Sequence, residues 1–88
     1  MKIIADVGGT RGRWVIVDKK IIKTIETVGF NPYSNSLSSL NSILDQILLP
    51  IKSFKIDEII YYGAGINNKE TIENVGDLIK KQFKNIKI

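Results

Sequence analysis

Two apolar runs near the amino terminus, residues 2–7 and 12–17, are separated only by the short turn Gly8-Gly9-Thr10-Arg11. A parallel pairing would need a crossover of a dozen or more residues, so two strands joined this closely must form an antiparallel hairpin. Both runs are too short for helices, and their unbroken apolar character predicts strands buried on both faces. A third run, residues 21–28, follows the polar turn Asp18-Lys19-Lys20. Strict alternation along it puts Ile21 and Ile25 on one face, with Ile22 and Val28 on the other. Lys23 and Glu26 within it suit a strand nearer the sheet edge. The start of the chain is therefore expected to be a three-stranded meander.

The texture changes at Gly29-Phe30-Asn31-Pro32-Tyr33-Ser34-Asn35-Ser36, a loop rich in turn formers. From Leu37 the apolar positions fall at 37, 40, 44, 47, 48 and 51, a helical stripe. Ser36 or Ser38 can cap its start and Pro50 stops it, which predicts a helix over 37–49. Residues 56–62 return to strand character and end at Gly63-Ala64-Gly65. Asn67 with Glu70 three residues later has capping-box spacing and predicts a second helix over 68–83. Its buried stripe should be Ile72, Val75, Ile79 and Phe83. Gly76 inside it costs about 1 kcal/mol relative to alanine, which predicts close packing there. Residues 85–88 alternate like the start of a fifth strand. The order β-β-β-α-β-α-β, with helical crossovers that demand parallel pairing, predicts an α/β fold with a mixed sheet in the order 3-2-1-4-5.

Composition narrows the function classes. The 43% apolar content suits a globular core and excludes wholesale disorder. With no cysteine and no histidine there is no disulfide framework, no thiolate site and no histidine-based triad. Asp6 interrupts the first apolar run, and no stretch approaches the ~20 apolar residues of a membrane span. The expectation is a soluble, cytoplasmic protein with no membrane partner. The net charge of +4 is concentrated late, at Lys80, Lys81, Lys84 and Lys87, without interleaved aromatic residues. That pattern reads as a solvated helix face, and no nucleic-acid partner is expected.

The chemistry-bearing segment is Asp6-Val7-Gly8-Gly9-Thr10-Arg11-Gly12. Its glycines let backbone approach a ligand closely and leave amide hydrogens free to point at an anion, phosphate above all. Thr10 and Arg11 add a hydroxyl and a guanidinium suited to phosphate oxygens. Asp6, at the end of a strand read as buried, would need a partner, and a hydrated Mg²⁺ beside nucleotide phosphates is the natural one. On the residues alone a plain glycine-rich hairpin, with Asp6 capping the turn, remains the alternative. The segment is neither a Walker A loop nor a dinucleotide fingerprint, because it lacks the Gly-Lys-Ser/Thr ending and a strand follows it.

Asp6-x-Gly8-x-Thr10 in the first hairpin of such a sheet resembles the first phosphate loop of the superfamily shared by actin, heat-shock chaperone ATPases and sugar kinases. Within it the chain is most similar to N-acetylglucosamine kinases and to the ATPases that activate 2-hydroxyacyl-CoA dehydratases. Three segments carry the likeness: Ala5 to Trp14, where many relatives have lysine at the position of Arg11; Gly29-Phe30-Asn31-Pro32-Tyr33; and Tyr61-Tyr62-Gly63-Ala64-Gly65 before a helix. The resemblance implies a ribonuclease H-like half-domain over residues 1–88, the truncated amino-terminal part of an ATP-dependent carbohydrate kinase with ATP and Mg²⁺ as cofactors. Asp6 would hold the metal through water, Gly8, Gly9, Thr10 and Arg11 would surround the terminal phosphates, and Asn31 would bind an amino sugar. Asn-Pro is also ordinary turn chemistry. Gly63 and Gly65 are expected to permit a tight turn, and Trp14 and Phe30 to sit in the core. The general base is expected beyond Ile88, so the segment alone should be inactive and should self-associate through its exposed sheet edge. An activator ATPase, or a non-catalytic truncated module, is the alternative reading.

Overall fold

The computed structural model describes residues 1–83 and the backbone of 86–87. Three strands come first: β1 (Lys2–Val7), β2 (Arg11–Asp18) and β3 (Lys20–Val28). They are followed by α1 (Leu37–Leu48), β4 (Glu58–Gly63) and α2 (Lys69–Lys80). β1 pairs antiparallel with β2 and parallel with β4, and β2 pairs antiparallel with β3, giving a mixed sheet in the order 3-2-1-4. Of the fifth strand expected over 85–88, residues 85 and 88 lie outside the described residues. Next to β4 the structure gives only a parallel pairing of Ile86–Lys87 with Ile59 and Ile60.

Burial is one-sided, which corrects the expectation of strands buried on both faces. β1 alternates, with Ile3, Ala5 and Val7 buried and Lys2 and Asp6 exposed. The same inner face carries Trp14 and Ile16 of β2 and Ile59 and Tyr61 of β4, in register with β1. Leu40, Ile43, Leu44 and Ile47 of α1 and Val75 and Ile79 of α2 join them in one core. The outer face holds half-buried Ile4, Val15 and Ile60 and the exposed Tyr62. The apolar runs mislead because outer positions also carry Ile and Val, although no described helix covers them.

Other expectations shift by small, explicable amounts. Register slips between Ile16 and Val17, so Ile21 pairs with Val17 on the outer face while Ile25 pairs with Trp14 on the inner one. A bulge thus separates two isoleucines that strict alternation would keep together. α1 starts after Ser36, whose side chain makes no cap bond. α2 is capped by Asn68 and not Asn67: its side chain accepts from the Thr71 N–H, and Thr71 Oγ1 accepts from the Asn68 N–H. Thr71 faces inward, and Ile72 of the expected stripe is 40% exposed. Gly76 is buried, as close packing requires, and Phe83 lies past the helix end and packs only partly on the core.

Trp14 and Phe30 are fully buried, as expected. The Trp14 ring tilts against Tyr61 at a centroid distance of 5.8 Å, and its Nε1 donates to Thr27 Oγ1 at 3.2 Å. The Tyr61 hydroxyl is enclosed without a hydrogen-bond partner among the described residues, and burial pushes its pKa far above the usual tyrosine range. An orphaned buried hydroxyl is a liability to the fold. Tyr61→Phe should therefore leave stability unchanged or raise it by up to about 1 kcal/mol, whereas Phe30→Ala should cost about 3–5 kcal/mol. Urea denaturation of both variants beside the wild type checks the contrast.

Candidate functional site

The carboxyl ends of the parallel strands β1 and β4 meet one end of the sheet, where open α/β sheets place their ligand sites. Three loops converge there: the 8–10 hairpin turn, the 29–36 loop and the 64–68 loop. Val7 is in register with Gly63, and the Ala64 N–H donates to the Val7 carbonyl at 2.9 Å. Asp6, opposite Tyr62, therefore sits one strand spacing from β4's exit.

The hairpin turn is tied down from behind. The Gly8 N–H donates to the Arg11 carbonyl at 2.9 Å and closes the turn. The carbonyls of Thr10 and Gly8 accept from the N–H groups of Gly29 (2.9 Å) and Phe30 (3.0 Å). Among the described residues the N–H groups of Gly9 and Thr10 have no backbone partner, and both residues are exposed. The carbonyls of Gly8 and Thr10 are thus engaged while the amides of Gly9 and Thr10 have no backbone partner, and free amides in a turn are what an anion-binding nest requires. Gly29 is the seat: a Cβ there would collide with the backbone of Gly8, Gly9 and Thr10.

Asp6, Gly8, Gly9, Thr10 and Arg11 all line one open cleft of about 960 Å³, together with Arg13, Glu26 and Gln46 among others. Asp6 is exposed on the outer face, so no desolvation argument demands a partner for it. Across that face Tyr62, Asp6, Arg13 and Glu26 lie opposite one another on four strands. Neither Asp6, Arg11, Arg13 nor Glu26 forms an ion pair within 4.0 Å among the described residues. Arg13 and Glu26 are the members of this set that the sequence reading did not place at the site. For Arg13 the available signal was its alternation with Arg11 on β2.

Asn31 lies outside that cleft, on the neighbouring loop. Its Oδ1 accepts from the Tyr33 N–H at 2.9 Å in an Asx turn, and its N–H donates to Asn35 Oδ1 at 2.9 Å. Gly65, at φ 73°, packs below: a Cβ there would lie 2.5 Å from Asn31 Oδ1 and 3.0 Å from Pro32 Cδ. The Tyr33 hydroxyl donates to Asn67 Oδ1 at 2.9 Å and accepts from Asn68 Nδ2 at 2.7 Å, linking the second loop to the third. The link from the tyrosine hydroxyl to these asparagines, of which Asn67 reads only as a helix cap, is not visible in sequence, because the partners are more than thirty residues apart.

The donor set suits a metal-complexed phosphate. Among the described residues there is no cluster of three metal-ligating side chains. Mg²⁺ held with nucleotide phosphates commonly uses only one or two carboxylates and keeps several waters, which an exposed Asp6 beside free amides accommodates. No helix among the described residues is long and apolar enough to cross a membrane.

The seats of the loops are testable. Gly29→Ala and Gly65→Ala should each lower stability by about 1–3 kcal/mol, the first by backbone collision and the second by strain at positive φ. Alanine at Gly9, which meets nothing within 4 Å, should have little effect. Thermal melts of the three variants give the comparison.

No protein-family model matches this chain, and no curated protein does. Among solved structures, 99% of the chain superposes on a Porphyromonas gingivalis protein provisionally designated an N-acetylglucosamine kinase, with a TM-score of 0.82 and 23% sequence identity. The chain spans 33% of that protein's length. At this identity the likeness shows the fold alone: a mixed α/β unit that matches one part of that protein.

Proposed function

We propose that this chain supplies the phosphate-binding and sugar-facing part of an ATP-dependent carbohydrate kinase, working with Mg²⁺ in the cytoplasm. The observation that carries the reading is the hairpin turn. Its Gly9 and Thr10 amides have no backbone partner among the described residues, Asp6 stands one residue before the end of the adjoining strand, and the 31–35 turn lies on the next loop. Phosphoryl transfer asks a protein mainly to position reactants and neutralise charge. In this reading Gly9, Thr10 and Arg11 hold the terminal phosphates. Asp6 orients the waters of the metal, which supplies charge neutralisation when bound, and Asn31 faces a hexosamine such as N-acetylglucosamine. The kinase designation of the Porphyromonas gingivalis protein, with which this chain shares its fold, supports the same class.

The test uses the complete kinase that this reading implies, of which residues 1–88 are a part, and a coupled assay of ATP turnover against a panel of amino sugars. Asp6→Asn should lower kcat at least tenfold with little change in sugar KM. Asn31→Ala should mainly raise sugar KM, by the equivalent of about 1–3 kcal/mol. Unchanged turnover in Asp6→Asn would remove the metal–phosphate assignment.

Residues 1–88 prepared alone should neither turn over ATP with sugar nor stay monomeric. The outer face leaves Tyr62 61% exposed, and Ile21 and Val28 of β3 are each 65% exposed. Open strand edges and apolar faces associate with other chains. Sedimentation over a concentration series is the measurement, and a sharp monomer at high concentration is the contrary result.

A further inference from the structure

β3 forms the outer edge of the sheet, and among the described residues no strand pairs with its far side. It runs nine residues from Lys20 to Val28 without glycine or proline, and all but Ile25 and Thr27 are exposed. Native sheets blunt such edges with short strands, proline, lysine or bulges. Here the lysines and the bulge, which leaves Ile22 unpaired, lie toward the first half of the strand. Ile21 and Val28, near its two ends, are each 65% exposed.

An open strand edge is completed by another strand, and two copies of one chain join such edges antiparallel about a two-fold axis. The axis runs perpendicular to the sheet, so the helix-covered face of one copy continues that of the other. Only residues on the same face can then stand opposite one another. On β3 the outer face carries Ile21, Thr24, Glu26 and Val28, and the inner face carries Lys23, Ile25 and Thr27.

Three registers centre near the middle of the strand. Centring on Glu26 sets two carboxylates against each other. Centring on Thr24 sets Glu26 against Ile21, because the extra residue Ile22 shifts the count by one. Centring on Ile25 sets Ile25 against its own copy, Ile21 against Val28, Thr24 against Glu26 and Lys23 against Thr27. Of the three, only this last register matches apolar side chains with apolar ones and keeps like charges apart.

We propose that β3 is a docking edge for a second copy of this chain, paired antiparallel with Ile25 on the two-fold axis, so that two sheets become one. Glu26 and Val28 also line the cleft, which places the second copy's Thr24 and Ile21 at its rim. The interface does not depend on the kinase reading. It is also distinct from association through the outer face around Tyr62, which needs no register.

Sedimentation of the intact protein over a concentration series gives the dimer affinity. Thr24 tests the register, because its side chain is exposed and outside the core. Thr24→Lys places a cation opposite each Glu26 and should tighten the dimer about 3- to 10-fold, whereas Thr24→Glu opposes carboxylates twice and should weaken it as much. Added lysine ordinarily blunts an edge, so tightening by lysine is specific to this pairing. The chain has no cysteine, so single cysteines report proximity. Directly opposite residues are close enough for a disulfide and diagonal ones are not. Ile25→Cys should therefore cross-link the dimer on mild oxidation, and Thr24→Cys should not. Tyr62→Lys, on the outer face of β4, should leave the affinity unchanged. A wild-type protein that stays monomeric, or equal affinity in the two charged Thr24 variants, overturns the proposal. Cross-linking at residue 24 without cross-linking at residue 25 overturns the register. Loss of the dimer in Tyr62→Lys overturns the edge as the interface.

Discussion

The return of the chain from β3 across the back of the first hairpin is the contact on which the rest of the structure depends. Gly29 and Phe30 donate to the carbonyls of Thr10 and Gly8 at 2.9 and 3.0 Å, and the Phe30 side chain is fully buried beneath them. The two bonds occupy the Thr10 and Gly8 carbonyls, and the Gly9 and Thr10 amides keep no backbone partner among the described residues. The ring anchors the segment in the core, and the chain then leaves toward Asn31. Backbone can approach this closely only because residue 29 has no side chain. One packing event therefore orients the free amides and delivers the second loop to the same end of the sheet.

Covering the sheet from one side alone sets the character of the site. Both helices lie against the face that carries Ile3, Ala5, Trp14 and Ile59, so the alternate residues of β1 and β2 point away from the core. Asp6, Arg11 and Arg13 are reachable for that reason, and their charges incur little desolvation. The outer row of Tyr62, Asp6, Arg13 and Glu26 alternates in sign and ends on an exposed ring. The same surface carries the half-buried apolar side chains of Ile4, Val15 and Ile60 between these charges.

Local chemistry made much of the architecture legible. The four-residue turn between β1 and β2 could only be a hairpin, and the helical stripe from Leu37 ends within a residue of the expected stop. Tyr62-Gly63-Ala64-Gly65 marked the end of β4 because glycines there admit a turn with positive φ. Two misreadings have definite causes. The cap of α2 moved from Asn67 to Asn68 because neighbouring asparagines offer equal chemistry, and Thr71 could close the box as well as Glu70. Ile21 and Ile25 fell on opposite faces because a bulge depends on the partner strand and leaves no mark in the strand's own alternation.

The sequence by itself determined the order of elements, the hairpin, the parallel pairing of β1 with β4 and the cluster from Asp6 to Arg11, since each follows from short-range spacing and backbone freedom. Tertiary structure alone decided which face of the sheet is covered, that Asp6 is exposed, and that Arg13 stands opposite it. It also decided that Asn31 Oδ1 is engaged by its own turn while Tyr33 reaches Asn67 and Asn68. The physical reason is range. Hairpins, caps and periodicity act over a few residues, whereas coverage of a face and a hydrogen bond between residues 33 and 68 exist only after distant segments have packed.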